Sequence, residues 1–239
     1  MNATFTPIQP AAHPRVAALR SVDLTGPAGR LEALVNEGAP GAPFAALVCH
    51  PHPQCGGSFH NKVVYHAMKV FNDTSWGFAW PVLRFNFRGV GLSQGTHDGR
   101  AETGDVLAAL RWLENEYQRP IVAAGFSFGA AMTIAACCGT GYGNAQADLA
   151  VRALVALGLP TQAEDRAYRY SSLGNCTVPK LFLSGDHDPF APADELAQVA
   201  ASAADPKQLV LLPRADHFFT GHLRAMQTSL ASWLKEQLL

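Results

Sequence analysis

Two stretches of the chain fit Gly-x-Ser-x-Gly: Gly91-Leu92-Ser93-Gln94-Gly95 and Gly125-Phe126-Ser127-Phe128-Gly129. In such a pattern the serine can stand on a sharp strand-to-helix turn, its hydroxyl lifted clear of a sheet as a nucleophile toward carbonyl carbon. The turn needs a strand ending at the first glycine and a helix beginning at the serine. Ile121-Val122-Ala123-Ala124 reads as a buried strand before Ser127, and Ala130 to Cys138 as an apolar helix after it. The small residues Ala130 and Ala131 suit close packing there, and a helix start supplies N–H groups and positive potential beside a developing oxyanion. Ser93 has neither flank. Five residues separate it from the end of the Phe85-Asn86-Phe87 strand, and Gln94 to Arg100 is polar loop material. Ser127 is the expected nucleophile and Ser93 a loop residue.

A serine hydroxyl is a poor nucleophile near neutral pH, so it needs a base, and the base an orienting carboxylate. Behind a genuine elbow of this kind the chain order is Ser, acid, His. Lys180 to Gly185 reads as a strand opening into Asp186-His187-Asp188-Pro189-Phe190, and Asp188 is the expected acid, with Asp186 the alternative. A later strand, Gln208 to Leu212, leads through Pro213-Arg214-Ala215-Asp216 to His217, a strand-end histidine and the expected base. His222 reads as a solvated helical residue and His187 as part of the acid loop.

These residues need a frame that brings distant loops to one edge. Short apolar runs begin near Phe44, Trp80, Ile121, Ala153, Leu181 and Leu209, roughly one strand-helix-strand unit apart. Between them Val63, Val64, Ala67, Met68 and Phe71 recur at helical period, as do Val106, Leu107, Leu110 and Leu113. Leu223, Met226, Leu230, Trp233 and Leu234 mark a C-terminal amphipathic helix. Val16 to Leu24 and Arg30 to Glu37 flank a Gly-Pro turn and read as an antiparallel pair before the parallel part. The fold class is therefore α/β: a mostly parallel sheet covered by helices on both faces, in a single domain spanning residues 1–239.

Composition narrows the function classes. The 239 residues are 48% hydrophobic and 15% charged, below the roughly 25% charged of an average domain, and the formal net charge is −1 without runs of either sign. Disorder and a phosphate-binding basic face are excluded, so no nucleic-acid partner is expected. Apolar stretches fall short of the ~18 to 20 residues that cross a bilayer, and the start lacks a secretory pattern. A cytoplasmic protein without a membrane partner is the expectation. The five cysteines have no CxxC spacing and are expected to be reduced and mostly buried. A homodimer is the default assembly, being the commonest closed oligomer.

Taken together, the motifs resemble the α/β-hydrolase fold, and within it small bacterial serine hydrolases near the dienelactone-hydrolase-like group. The resemblance runs over residues 44–222, on Cys49-His50-Pro51-His52-Pro53, Gly56-Gly57, Asn61-Lys62-Val63-Val64, Arg84 to Gly95, the elbow, the Gly-Asp-His-Asp-Pro loop and Asp216-His217. It implies an eight-stranded sheet and no cofactor. It also places Ser93 in the loop after a central strand, with Arg88 tying that loop to Glu102 or Asp105 of the next helix. Dienelactone hydrolases carry Cys where this chain has Ser127, a departure that sets their particular chemistry aside.

By the same resemblance, the oxyanion would be held by backbone N–H groups of Phe128 and of His52, since Pro51 and Pro53 have none. Caps in this fold enter after the sixth strand. Here only Thr161 to Pro179 separates it from the next, room for one short helix and a loop. An open, shallow site lined by Phe126, Phe128, Phe190 and Phe218, suited to small or short-chain carboxylic esters, is expected. Peptidase, thioesterase, lactonase and acyltransferase activities use the same machinery. Two rivals are a metal-dependent hydrolase ligated through His50-x-His52, though Gln54-Cys55 stands where an Asp-His pair would follow, and a binding protein on the same fold.

Overall fold

Alternating side chains along each central strand bury both faces, and that alone forces a layered architecture. In the computed structural model, which describes residues 18–139, 150–163 and 166–239, strands β3 (Ala45–Cys49), β4 (Val82–Phe85) and β5 (Ile121–Phe126) are buried at every position. Ala45, Leu47 and Cys49 of β3 join one core; Ala46 and Val48 join the other. The first core is closed by helices α2 (Glu102–Tyr117), α3 (Phe128–Cys138) and α4 (Ala193–Ser202), the second by α1 (Lys62–Asn72) and α5 (Leu223–Leu238).

Among the described residues eight strands form one sheet, in the order β1 (Leu19–Gly26), β2 (Gly29–Asn36), β4, β3, β5, β6 (Val151–Leu157), β9 (Lys180–Gly185), β10 (Lys207–Leu212). The β1–β2 pairing is antiparallel and the β3–β4, β3–β5, β5–β6, β6–β9 and β9–β10 pairings are parallel, as the sequence predicts, while the β2–β4 pairing that joins the two parts is also antiparallel. Val16, where the first strand is predicted to start, lies outside the described residues. The strand predicted from Trp80 begins at Val82, because Pro81 has no N–H for the ladder and Trp80 instead packs against Phe44, Phe71 and Phe78.

The connection from β6 to β9 departs from the predicted helix and loop. It holds a two-stranded hairpin, β7 (Gln162–Ala163) with β8 (Arg166–Ala167), and a 3-10 turn over Ser171–Asn175. No large cap rises from it. The cysteine expectation also changes: Cys138, at the end of α3, is disulfide-bonded to Cys176, whereas Cys49, Cys55 and Cys137 are free. Packing of α3 against the 3-10 turn brings these two Cα atoms to 5.3 Å across 38 residues, a proximity no sequence spacing reveals. No helix among the described residues is long and apolar enough to cross a membrane.

Two buried polar devices hold the loops at the carboxyl edge. Arg88, just past β4, is gripped by Asp105 of α2: Nη2 lies 2.6 Å from Oδ1, Nε 3.0 Å from Oδ2, and the Arg88 N–H donates to Oδ2 at 3.1 Å. Of the two expected partners, Asp105 is therefore the one used. His50, just past β3, sits beside Pro51 O at 2.7 Å through Nδ1 and accepts from the Phe87 N–H at 3.0 Å through Nε2. With a carbonyl on one side and an N–H on the other, the ring is a neutral tautomer protonated on Nδ1. Burial pushes its pKa down to about 4, with His52 and His97 nearby adding to the effect.

Two stability measurements follow. Asp105→Ala leaves the guanidinium buried without its carboxylate, so denaturant unfolding should reveal a loss of about 3–5 kcal/mol, largely recovered by an apolar replacement of both Arg88 and Asp105. An unchanged midpoint for Asp105→Ala would contradict the buried-pair account. For His50, the unfolded chain takes up a proton near pH 6.5 that the folded chain refuses until about 4. Stability should thus fall with acidification across that window, by at most on the order of 3 kcal/mol, and His50→Gln should flatten this part of the pH profile.

Candidate active site

Strand β5 ends at Phe126 and α3 begins at Phe128, leaving Ser127 alone to make the turn, with φ 54° and ψ −121°. A non-glycine residue there is strained by about 1–3 kcal/mol, and the surroundings enforce it. A Cβ on Gly125 would lie 2.4 Å from the Gly129 carbonyl carbon, and one on Gly129 would lie 2.5 Å from His50 O. Both glycines of the motif are thus sites of backbone contact rather than of torsional freedom. The Ser127 N–H donates to Leu157 O at 2.9 Å, anchoring the turn to β6.

His217 reaches this serine from the loop after β10. Its Nε2 is 3.0 Å from Ser127 Oγ and its Nδ1 is 2.7 Å from Asp188 Oδ2. The carboxylate accepts at Nδ1, so the tautomer inferred from the partners leaves Nε2 to receive the serine proton. Asp188 is itself fixed: Ser184 Oγ donates to Oδ2 and the Phe190 N–H to Oδ1, each at 2.9 Å. Both Asp188 and His217 are buried. Asp186 takes a different partner, accepting from the Arg214 N–H at 2.6 Å, and so staples the β9 loop to the β10 loop. Gly185 permits that contact, since a Cβ there would meet Ala215 O at 2.0 Å.

The other candidates fall away from this line. Ser93 is buried, its Oγ donating to Asn86 O at 2.7 Å and accepting from the Glu32 N–H at 2.9 Å, which pins its loop to β2. His187 is exposed, and His222, at the start of α5, has Nδ1 beside Thr220 O. His50, half of the His-x-His pair, has both ring nitrogens engaged by backbone groups.

Phe128, as the first residue of α3, carries an N–H that no carbonyl of the helix can reach. The His52 turn packs beside it, ring centroids 5.1 Å apart, and is held tight by Cys55 and Gly57 N–H groups donating to His52 O at 3.1 and 3.0 Å. On the other side, Phe126, Phe190 and Phe218 surround the His217 imidazole at 4.9, 4.8 and 5.2 Å. Phe126 is buried beneath it, whereas Phe190 and Phe218 are 38% and 42% exposed. Lys62 Nζ lies 5.8 Å over the Phe218 ring.

One feature of this edge has no counterpart in the sequence reading. His97, in the loop after β4, stands 4.7 Å from the His52 ring and 5.4 Å from the Phe128 ring, with Nδ1 2.7 Å from Oε1 of the fully buried Glu102. Oε1 also accepts from the Asp98 N–H at 3.0 Å. The polar run around His97 has no periodicity, so nothing in it singles out this residue.

This geometry agrees with what the chain is similar to. The α/β hydrolase domain model matches residues 68–237, which include Ser127, Asp188 and His217 but not His52. An uncharacterised protein of Rickettsia prowazekii is 35% identical over 208 residues, covering 81% of this chain and 79% of that protein. An α/β serine hydrolase without a lid from Xanthomonas campestris superposes with a TM-score of 0.75 at 27% identity, over 97% of both chains. An α/β serine hydrolase homologue from Coxiella burnetii superposes at 0.76 with 31% identity, over 89% of this chain and 96% of that one. Sheet order and sequence match point the same way, and the chain belongs to the α/β hydrolase domain family, which supports hydrolase activity.

Proposed function

We propose that this hydrolase cleaves small or short-chain carboxylic esters through an acyl-enzyme on Ser127. The observation that carries the reading is the hydrogen-bonded line from Ser127 Oγ through His217 to Asp188, at 3.0 and 2.7 Å, set on a backbone turn strained at the serine. Ser127 Oγ attacks the ester carbonyl as its proton passes to His217 Nε2. Asp188 holds the imidazole in register and stabilises the imidazolium that forms. The Phe128 and His52 N–H groups receive the oxyanion at the helix start, where fixed dipoles stabilise developing charge.

Collapse of the tetrahedral intermediate breaks the bond to the alcohol oxygen, which leaves with the proton from His217. Water then adds to the acyl carbon as it gives a proton to the same nitrogen, and collapse breaks the bond to Ser127 Oγ, which takes that proton back as the acid leaves. The short connection between β6 and β9 supports a small substrate, because it offers little surface to enclose a long acyl chain. No step calls for a cofactor or a metal.

A fluorophosphonate probe should label the native protein and Ser93→Ala but not Ser127→Ala; label lost with Ser93 and kept without Ser127 would reverse the assignment. Ser127→Ala and His217→Ala should each cut ester kcat by about 10⁴-fold or more, and Asp188→Asn by a comparable factor. Across p-nitrophenyl esters, acetate and butyrate should outpace octanoate and palmitate. A chelator should leave those rates unchanged, and its inhibiting them would favour metal-dependent hydrolysis.

A further inference from the structure

The tetrahedral carbon on Ser127 bears four groups, and they are not equivalent toward His217. One is Oγ itself, and one is the oxyanion, which belongs beside the Phe128 N–H. Of the other two, only the alcohol oxygen must come within hydrogen-bond reach of Nε2, because it departs with the electron pair of the broken C–O bond and takes the proton that Nε2 received from Ser127. The acyl substituent has no such requirement. Whatever is attached to the alcohol oxygen therefore starts next to the imidazole.

That imidazole stands between two half-exposed phenyl rings. Phe190 and Phe218 lie 4.8 and 5.2 Å from it, centroid to centroid, and keep 38% and 42% of their surface open. Phe126 packs against it at 4.9 Å, and so does Gly158, where a Cβ would come within 3.2 Å of His217 Cε1. The Phe128 side is different in chemistry: its ring is flanked by the imidazoles of His52 and His97, at 5.1 and 5.4 Å, the second beside buried Glu102. The exposed phenyl surface thus stands by the base, whereas the Phe128 ring, expected to line the site, is buried and offers none.

We infer that Phe190 and Phe218 read the alcohol half of the ester and not its acyl half, so that the preferred substrates are small-acyl esters of chain-bearing or aromatic alcohols. This rests on the Ser127–His217 reading above and narrows it. Covering exposed phenyl surface with methylenes is worth up to about fourfold in kcat/KM per carbon while the chain still touches the rings.

Two ester series of the native protein separate the halves: primary alkyl acetates from ethyl to hexyl, whose alcohols leave with similar ease, and ethyl esters from acetate to hexanoate. The expected result is a kcat/KM that climbs about two- to fourfold per carbon in the first series and stays flat or falls in the second. Phe190→Ala and Phe218→Ala should flatten the alcohol series without reshaping the acyl series, and Phe→Leu at each position should restore part of the slope. Both alanine variants keep Ser127, His217 and Asp188, so a fluorophosphonate should still label them, which also shows that they are folded. An alcohol series that is flat in the native protein, or an acyl series that changes with the Phe variants, overturns the inference. A native protein that neither labels nor hydrolyses any ester fails earlier, at the serine itself.

Discussion

Main-chain contact at the carboxyl edge of the sheet leaves no space for a side chain at residue 125 or 129, and the position of the serine follows from that. Gly125 lies against Gly129, and Gly129 lies against the carbonyls of Cys49 and His50, so β3, β5 and α3 meet through backbone alone. A helix that starts this close to the end of its strand admits a single connecting residue, and that residue must adopt positive φ. The strain at Ser127 is thus imposed by packing on three sides. The same contact brings the first turn of α3 against the turn following β3, which sets Phe128 and His52 beside one another.

Asp188 and His217 arrive differently. They stand on separate loops, after β9 and β10, that are tied by backbone bonds as well as by Asp186: the His187 N–H donates to Ala215 O and the Asp186 N–H to Leu212 O, at 3.0 and 3.1 Å. Asp188 and His217 are therefore carried by one interlocked unit, while Ser127 is carried by another. Parallel strands in register make the two units meet at the same edge, since β5, β6, β9 and β10 all end there.

Much of this was legible in the sequence, and the rest was hidden for identifiable reasons. Apolar runs at strand-helix spacing gave the sheet and its two helical layers, because burial on both faces writes itself into local composition. The flanks of Ser127 and Ser93 told the two similar motifs apart, since a turn between strand and helix needs apolar chain on each side. Asp186 and Asp188 were harder. Two residues apart in one loop, they share every local signal, and what separates them is the partner each meets from the β10 loop, Arg214 N–H for one and His217 for the other. Asn86 with Glu32 and Cys138 with Cys176 were equally unreadable, as each joins segments far apart in the chain whose approach is decided by packing elsewhere.

The short link between β6 and β9 has a kinetic consequence. Enzymes that close a lid over a substrate often spend part of each turnover opening it, and the lid also keeps water from intercepting an activated intermediate. With a two-stranded hairpin and a 3-10 turn in place of a cap, the described residues of this link form no such gate. On the proposed mechanism, the dwell time of the acyl group would be governed by bond-making at the carbonyl, and bulk water, always the most concentrated acceptor, would win the competition for it.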